Sequence, residues 1–216
     1  MASLEADIHT EQDADGFVYQ NSDLGVKWVR LSVDMFDWNE VESRGLYSEH
    51  SIDPNHDKAI NGLLDNGIKI MYTLVFWDEE IQDETGDYSR FKTKDEIQRY
   101  LDYVQFLVHH FKDHIEYYEI LNEPNVREGT QQYVEVADYI NLIERTVPVL
   151  RQEYPEAKIV VGAVPALSEP DAHDYFFTIL SSEQNLTAHN RYVNLTSFGS
   201  TYKVGNFPLV SRQVTA

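Results

Sequence analysis

Residues 115–125 read Ile115-Glu116-Tyr117-Tyr118-Glu119-Ile120-Leu121-Asn122-Glu123-Pro124-Asn125. A run of β-favouring, largely apolar residues ends abruptly in Asn-Glu-Pro. Such side chains suit a pleated, buried surface. The residue before a proline is biased to extended geometry, so the strand is expected to end at Glu123. A strand of this kind delivers a carboxylic acid to its C-terminal end, the face on which (β/α) barrels build their active sites.

The flanking sequence repeats the same unit. Val26 to Val33 (VKWVRLSV) has the β-branched and aromatic content of a strand. Asp53-Pro54 then opens a helix, with Asp53 suited to the N-cap and Pro54 to the first helical position. Ile60, Leu63 and Leu64 form its apolar stripe, and Gly67 is placed to end it. Ile68 to Phe76 (IKIMYTLVF) is a near-continuous apolar run, as in strands covered on both faces of a parallel sheet. Ile97, Leu101, Val104, Val108 and Phe111 recur at helical spacing. After the Ile115–Leu121 strand, residues 133–154 form a further helix, which Pro148 is expected to kink. Lys158 to Val164 (KIVVGAV) is another strand, 171–181 a helix, and Val193 to Tyr202 (VNLTSFGSTY) the last strand. A sixth strand is placed near Ala6 to Thr10.

Strands alternating with helices imply right-handed βαβ units and a parallel sheet. The expected fold is α/β, of the (β/α)8 TIM-barrel type, in a single domain over residues 1–216. A complete barrel typically takes about 250 residues. About six of eight units are accounted for, so the barrel is expected to be incomplete after Tyr202, and this chain alone to be weakly active or inactive.

Composition narrows the partners. The 216 residues include 17 basic and 37 acidic side chains, a net charge of −20, with a pI near 4.6. So acidic a surface repels nucleic acid and anionic membranes; it also fits a salt-adapted host. There is no cysteine, hence no disulfide and no thiolate metal site. No apolar run reaches the roughly 20 residues that span a bilayer, and the acidic N-terminus lacks the pattern of a signal peptide. The expectation is a cytoplasmic protein, or a secreted one whose signal has been removed. Two sequons, Asn185-Leu186-Thr187 and Asn194-Leu195-Thr196, are of a kind that arises often by chance.

Glu123 is the first candidate for chemistry. Partly desolvated, its carboxyl would hold a proton near neutral pH and act as a general acid. Asn122 beside it can donate to a substrate hydroxyl. The plain alternative is that Glu-Pro is a turn after a strand. His109, His110 and His114 cluster on and after a helix without the acidic ligand of a metal pattern, so no metal is expected. Trp28 is read as core. Trp38 and Trp77 lie at or beyond strand ends, as sugar-stacking platforms or rim packing. Asp34 and Asp37 are subsite contacts or ordinary loop charges.

Taken together, the chain resembles the clan A retaining glycoside hydrolases, the (β/α)8 superfamily that includes cellulases, mannanases and β-xylosidases. LNEPN resembles their fourth-strand motif, which implies Glu123 as acid/base and Asn122 as the contact to the sugar 2-hydroxyl. VKWVRLSV resembles their second strand, whose arginine supports the catalytic carboxylates; Arg30 matches it. DNGIKIMYTLVFW resembles the third helix-to-strand turn, with Trp77 at the aromatic subsite. SFGSTY resembles the sixth strand, with Tyr202 orienting the nucleophile. The resemblance spans roughly residues 20–205 and implies no cofactor and a carbohydrate substrate. Two departures stand out. Ser200 occupies a position that usually carries histidine. The nucleophilic glutamate, taken in these enzymes from strand seven at about 5–5.5 Å from the acid/base, has no counterpart here; Glu79, Glu80 and Glu169 read as solvated loop charges. A partner chain or a second copy could close such a barrel. The readings left open are a glycosidase, a catalytically inactive carbohydrate-binding relative, and another barrel enzyme with Glu123 as a lone general base.

Overall fold

The strand-then-helix order is realised as a five-stranded parallel sheet, in a computed structural model that describes residues 8–32, 52–76, 90–126, 133–165, 169–182 and 192–193. The described elements are α1 (Glu11–Asp23), β1 (Trp28–Ser32), α2 (Pro54–Asp65), β2 (Lys69–Leu74), α3 (Lys94–Phe111), β3 (Tyr117–Ile120), α4 (Val136–Glu153), β4 (Lys158–Val161), α5 (Pro170–Ser182) and β5 (Tyr192–Val193). The strands pair in sequence order, every pair parallel. This is the arrangement of consecutive βαβ units, a partial TIM barrel.

Local signals account for the helix ends. Asp53 caps α2, accepting from the Asn55 amide at 2.7 Å, with Pro54 in the first turn. Gly67, at φ 69°, terminates it as expected. Thr93 caps α3, accepting from the Glu96 amide. Helix α4 includes Pro148 in its interior.

Period-two alternation splits the sheet into two unlike faces. One face bears Leu31, Ile70, Tyr72, Leu74, Tyr118, Ile120, Ile159 and Val161, all in the hydrophobic core shared with the helices. There Tyr72 stacks on His56 of α2 and packs against Phe111 of α3. Fully burying an aliphatic or aromatic side chain of this size contributes about 1.5–3 kcal/mol, so this face holds the layers together. The opposite face is polar. In register across it stand Arg30 with Met71, Thr73 with Glu119, and Glu119 with Val160. Trp28 lies on this polar face, half-buried, edge-on to Tyr117 at 4.8 Å and under the Lys69 ammonium. It is therefore not part of the helix-covered core.

Two expectations at the N-terminus change. Residues 8–10 form no strand, and the rest of the proposed 6–10 segment lies outside the described residues. Thr10 instead opens helix α1 through a capping box with Asp13. The helix buries only Ala14, Phe17 and Asn21 among acidic and polar neighbours, so its apolar period is too sparse to read in sequence. It packs on α2, where Gly62 allows the approach: a Cβ there would sit 2.8 Å from a Val18 methyl.

Tyr139 of α4 ties the sheet's C-terminal edge together. Its buried hydroxyl donates to the Ile120 carbonyl at 2.7 Å and accepts from the Gly162 amide at 3.3 Å. Replacing Tyr139 with Phe leaves these groups without that partner and is expected to lower stability by about 1–3 kcal/mol. Urea denaturation followed by circular dichroism would measure it; an unchanged midpoint would show that the link is idle.

Candidate active site

The polar face of the sheet carries a connected set of side chains at its C-terminal edge. Arg30, in the middle of β1, reaches across β2 to β3. Its Nε donates to Glu119 Oε2 at 2.6 Å, and its Nη2 approaches the same oxygen at 2.5 Å. Thr73 of β2 donates its hydroxyl to that oxygen at 2.8 Å. Arg30 Nη2 also donates to Asn122 Oδ1 at 2.8 Å. Glu119 is fully buried, whereas the Arg30 side chain keeps 18% of its exposure. Burial pushes the Glu119 carboxyl above the ordinary carboxylate range, and the Arg30 charge and the Thr73 and Arg30 hydrogen bonds pull it back. Hydrogen bonds between ions are about twice as strong as neutral ones, and removing one member of a buried pair typically costs about 3–5 kcal/mol.

Beyond Ile120 the backbone leaves the ladder in an unusual way. Leu121 has φ 59° and Glu123 φ 43°, both in the left-handed region that residues with side chains rarely adopt. The extended geometry expected for the residue before Pro124 is therefore not what the chain adopts. The turn replaces it. The Glu123 carbonyl accepts from the Val126 amide at 3.1 Å, and the Pro124 carbonyl from the Val134 amide at 2.7 Å. Strained backbone of this sort costs about 1–3 kcal/mol per residue and persists where its surroundings over-determine it. Here those surroundings are the buried Leu121 side chain, the Arg30–Asn122 bond and the two turn hydrogen bonds.

Glu123 is half-buried. Desolvation raises its pKa above the ordinary value, and the nearby Arg30 charge opposes the rise. The side chain thus combines access to a ligand with a reason to hold its proton. With Oδ1 of Asn122 occupied by Arg30, the amide nitrogen is the group Asn122 has to offer a ligand.

Of the residues singled out in the sequence, Arg30, Asn122 and Glu123 are brought together. Trp77, Tyr202, Trp38, Asp34, Asp37, Glu79, Glu80 and both sequons lie outside the described residues. Glu169 is exposed, and its carbonyl receives the His173 amide at the start of α5. His109 bonds Glu153 at 3.0 Å and His110 bonds Asp57 at 2.7 Å, linking α3 to α4 and to α2. Glu119 was not anticipated. The available signal was a carboxylate amid an otherwise apolar buried strand, which requires a partner.

A family model described as Glycosyl hydrolase family 1 matches residues 9–139. The chain belongs to glycosyl hydrolase family 1. The match takes in β1 to β3 and the first turn of α4, and so contains Arg30, Glu119, Asn122 and Glu123. The sequence is similar to Beta-glucosidase 47 of Arabidopsis thaliana, 26% identical over 109 residues, which are 49% of this chain and 19% of that protein. It is 30% identical over 108 residues to the furostanol glycoside 26-O-beta-glucosidase of Hellenia speciosa, covering 47% of this chain and 18% of that one. The chain thus spans under a fifth of the length of these curated relatives. In fold it is similar to a monomeric beta-xylosidase from Caulobacter crescentus, with a TM-score of 0.57 at 16% identity, over 88% of this chain and 39% of that one. At that identity the likeness speaks for the TIM-barrel fold.

The raised pKa of Glu123 has a consequence for stability. A carboxyl whose pKa is higher in the folded state stabilises the fold fully below its unfolded pKa, and that contribution is lost as pH rises through the folded value. Glu123→Gln removes the charge and is expected to raise the melting temperature at pH 7. The gain should vanish near pH 3.5, where Glu123 is protonated in both states. Thermal melts at the two pH values test this; an equal or lower melting temperature for E123Q at pH 7 would contradict it.

Proposed function

We propose that this chain carries the acid/base part of a retaining glycosidase site that acts on O-glycosidic bonds of oligo- or polysaccharides, with Glu123 as the acid/base. The observation that carries this reading is the half-buried Glu123, its pKa raised by desolvation, beside the Arg30–Asn122 pair at the C-terminal edge of a parallel sheet. The names of the similar curated proteins favour β-glucosides as the substrate class.

In the proposed reaction, Glu123 gives its proton to the glycosidic oxygen as the bond to the anomeric carbon breaks. A carboxylate nucleophile, to which no residue of this sequence is assigned, bonds to that carbon. Glu123, now ionised, takes a proton from water as the water oxygen attacks the anomeric carbon and releases the nucleophile. Asn122 donates to the sugar 2-hydroxyl and Arg30 supports the carboxylates. By the resemblance, Trp77 stacks on a sugar ring and Tyr202 orients the nucleophile. The chemistry calls for no metal or organic cofactor.

A second reading is a catalytically inactive relative that binds carbohydrate. The two are separated by assaying hydrolysis of p-nitrophenyl β-glucoside and cellobiose together with glucoside binding. A glycosidase should lose about 10²–10⁴-fold on cellobiose in E123Q, and less at the first step with the aryl glycoside, whose leaving group needs little protonation. Binding without turnover would support the second reading. Turnover indifferent to E123Q would remove Glu123 from the mechanism.

A further inference from the structure

Glu119 has no role in the chemistry proposed for Glu123, yet it lies on the strand that delivers that residue. It is fully buried, and a buried carboxylate persists only with partners. Its partners among the described residues converge on one oxygen. Oε2 receives Arg30 Nε at 2.6 Å, Arg30 Nη2 at 2.5 Å and Thr73 Oγ1 at 2.8 Å. Oε1 is buried with no hydrogen-bond partner among the described residues. The carboxyl therefore turns one oxygen to Arg30 and Thr73 together, an uneven arrangement for mere satisfaction of a polar group. The planar guanidinium, held at Nε and Nη2, loses its freedom to swing. The Nη2 that meets Glu119 is also the nitrogen that donates to Asn122 at 2.8 Å. One carboxylate thereby sets the direction of two side chains.

We propose that Glu119 is a positioning residue of the site, fixing the Arg30 guanidinium and, through it, Asn122 in the orientation that faces the sugar. This rests on the reading of Glu123 as acid/base, and its test does not depend on hydrolysis. Glu119 also sets a negative charge against Arg30, the cation that acts on Glu123. Among the described residues, Arg30 faces both carboxyls from β1, the uncharged Thr73 bonds Glu119 from β2, Val160 neighbours Glu119 from β4, and Glu119 in turn acts on the buried Tyr139 phenol of α4, raising its pKa.

The test is an NMR titration of the full 216-residue chain, with the Glu123 carboxyl assigned through E123Q. Glu119→Gln keeps the shape and removes the charge. It is expected to lower the Glu123 midpoint by about half to one pH unit, because removing a negative charge from the site favours the ionised form of the neighbouring carboxyl. Thr73→Val removes a hydrogen bond but no charge, and should leave the midpoint within about 0.2 units while lowering stability. An unmoved midpoint in folded E119Q, or an equal shift in T73V, overturns the proposal. Should E119Q not fold, the wild-type chain decides. The Arg30 Nε–H should exchange with solvent at least about tenfold more slowly than that of exposed Arg145, and equal rates overturn the proposal. A wild-type Glu123 midpoint at the ordinary carboxylate value would instead count against the acid/base reading and leave Glu119 untouched.

Discussion

The site depends on an ion pair buried inside a sheet. Arg30 and Glu119 stand on strands β1 and β3, separated by β2, and meet over Thr73. Neither charge is tolerable in that position alone. Because parallel pairing fixes the register, with Arg30 opposite Met71 and Thr73 opposite Glu119, the pair can form only when all three strands are correctly docked. The folded sheet thus specifies the position of a cation at its C-terminal edge, and the chemistry proposed for Glu123 is built next to it.

The same cation limits how far Glu123 can become a weak acid. Desolvation raises its pKa and Arg30 lowers it. In the two-step chemistry proposed for Glu123, a deeper pocket would make a better acid in the first step and a poorer base in the second, and half-burial beside Arg30 suits both steps. The backbone around it is held in an uncommon conformation. Two left-handed residues, Leu121 and Glu123, turn the chain out of the strand within three residues. Tyr139 holds the Ile120 carbonyl just before them, and the Val126 and Val134 amides bind the carbonyls just after.

The barrel units were legible because their signals are local and repeated: β-branched runs, the Asp53-Pro54 start, the Gly67 stop, the helical spacing from Ile97 to Phe111. Arg30, Asn122 and Glu123 were legible by resemblance to a motif and by their places at strand ends. Helix α1 was not, since its cap lies in an acidic stretch and its buried residues are few. The φ of Glu123 was missed for a different reason. Proline's steric preference on its predecessor is a local average, and here tertiary hydrogen bonds and the buried Leu121 override it. Glu119 escaped because partnership across 89 positions of sequence leaves no mark in the local pattern beyond a charge among apolar neighbours.

In the proposed function, sugar binds at the edge formed by Arg30, Asn122 and Glu123. The most direct measurement is NMR mapping of the wild-type chain with a basic iminosugar such as deoxynojirimycin. Binding should shift the Arg30 Nε–H and the Asn122 side-chain amide, and titrate with Glu123. Saturable binding whose shifts fall elsewhere, for example in the groove between α1 and α2 around Tyr19 and Lys58, with Arg30 and Asn122 unmoved, would contradict it.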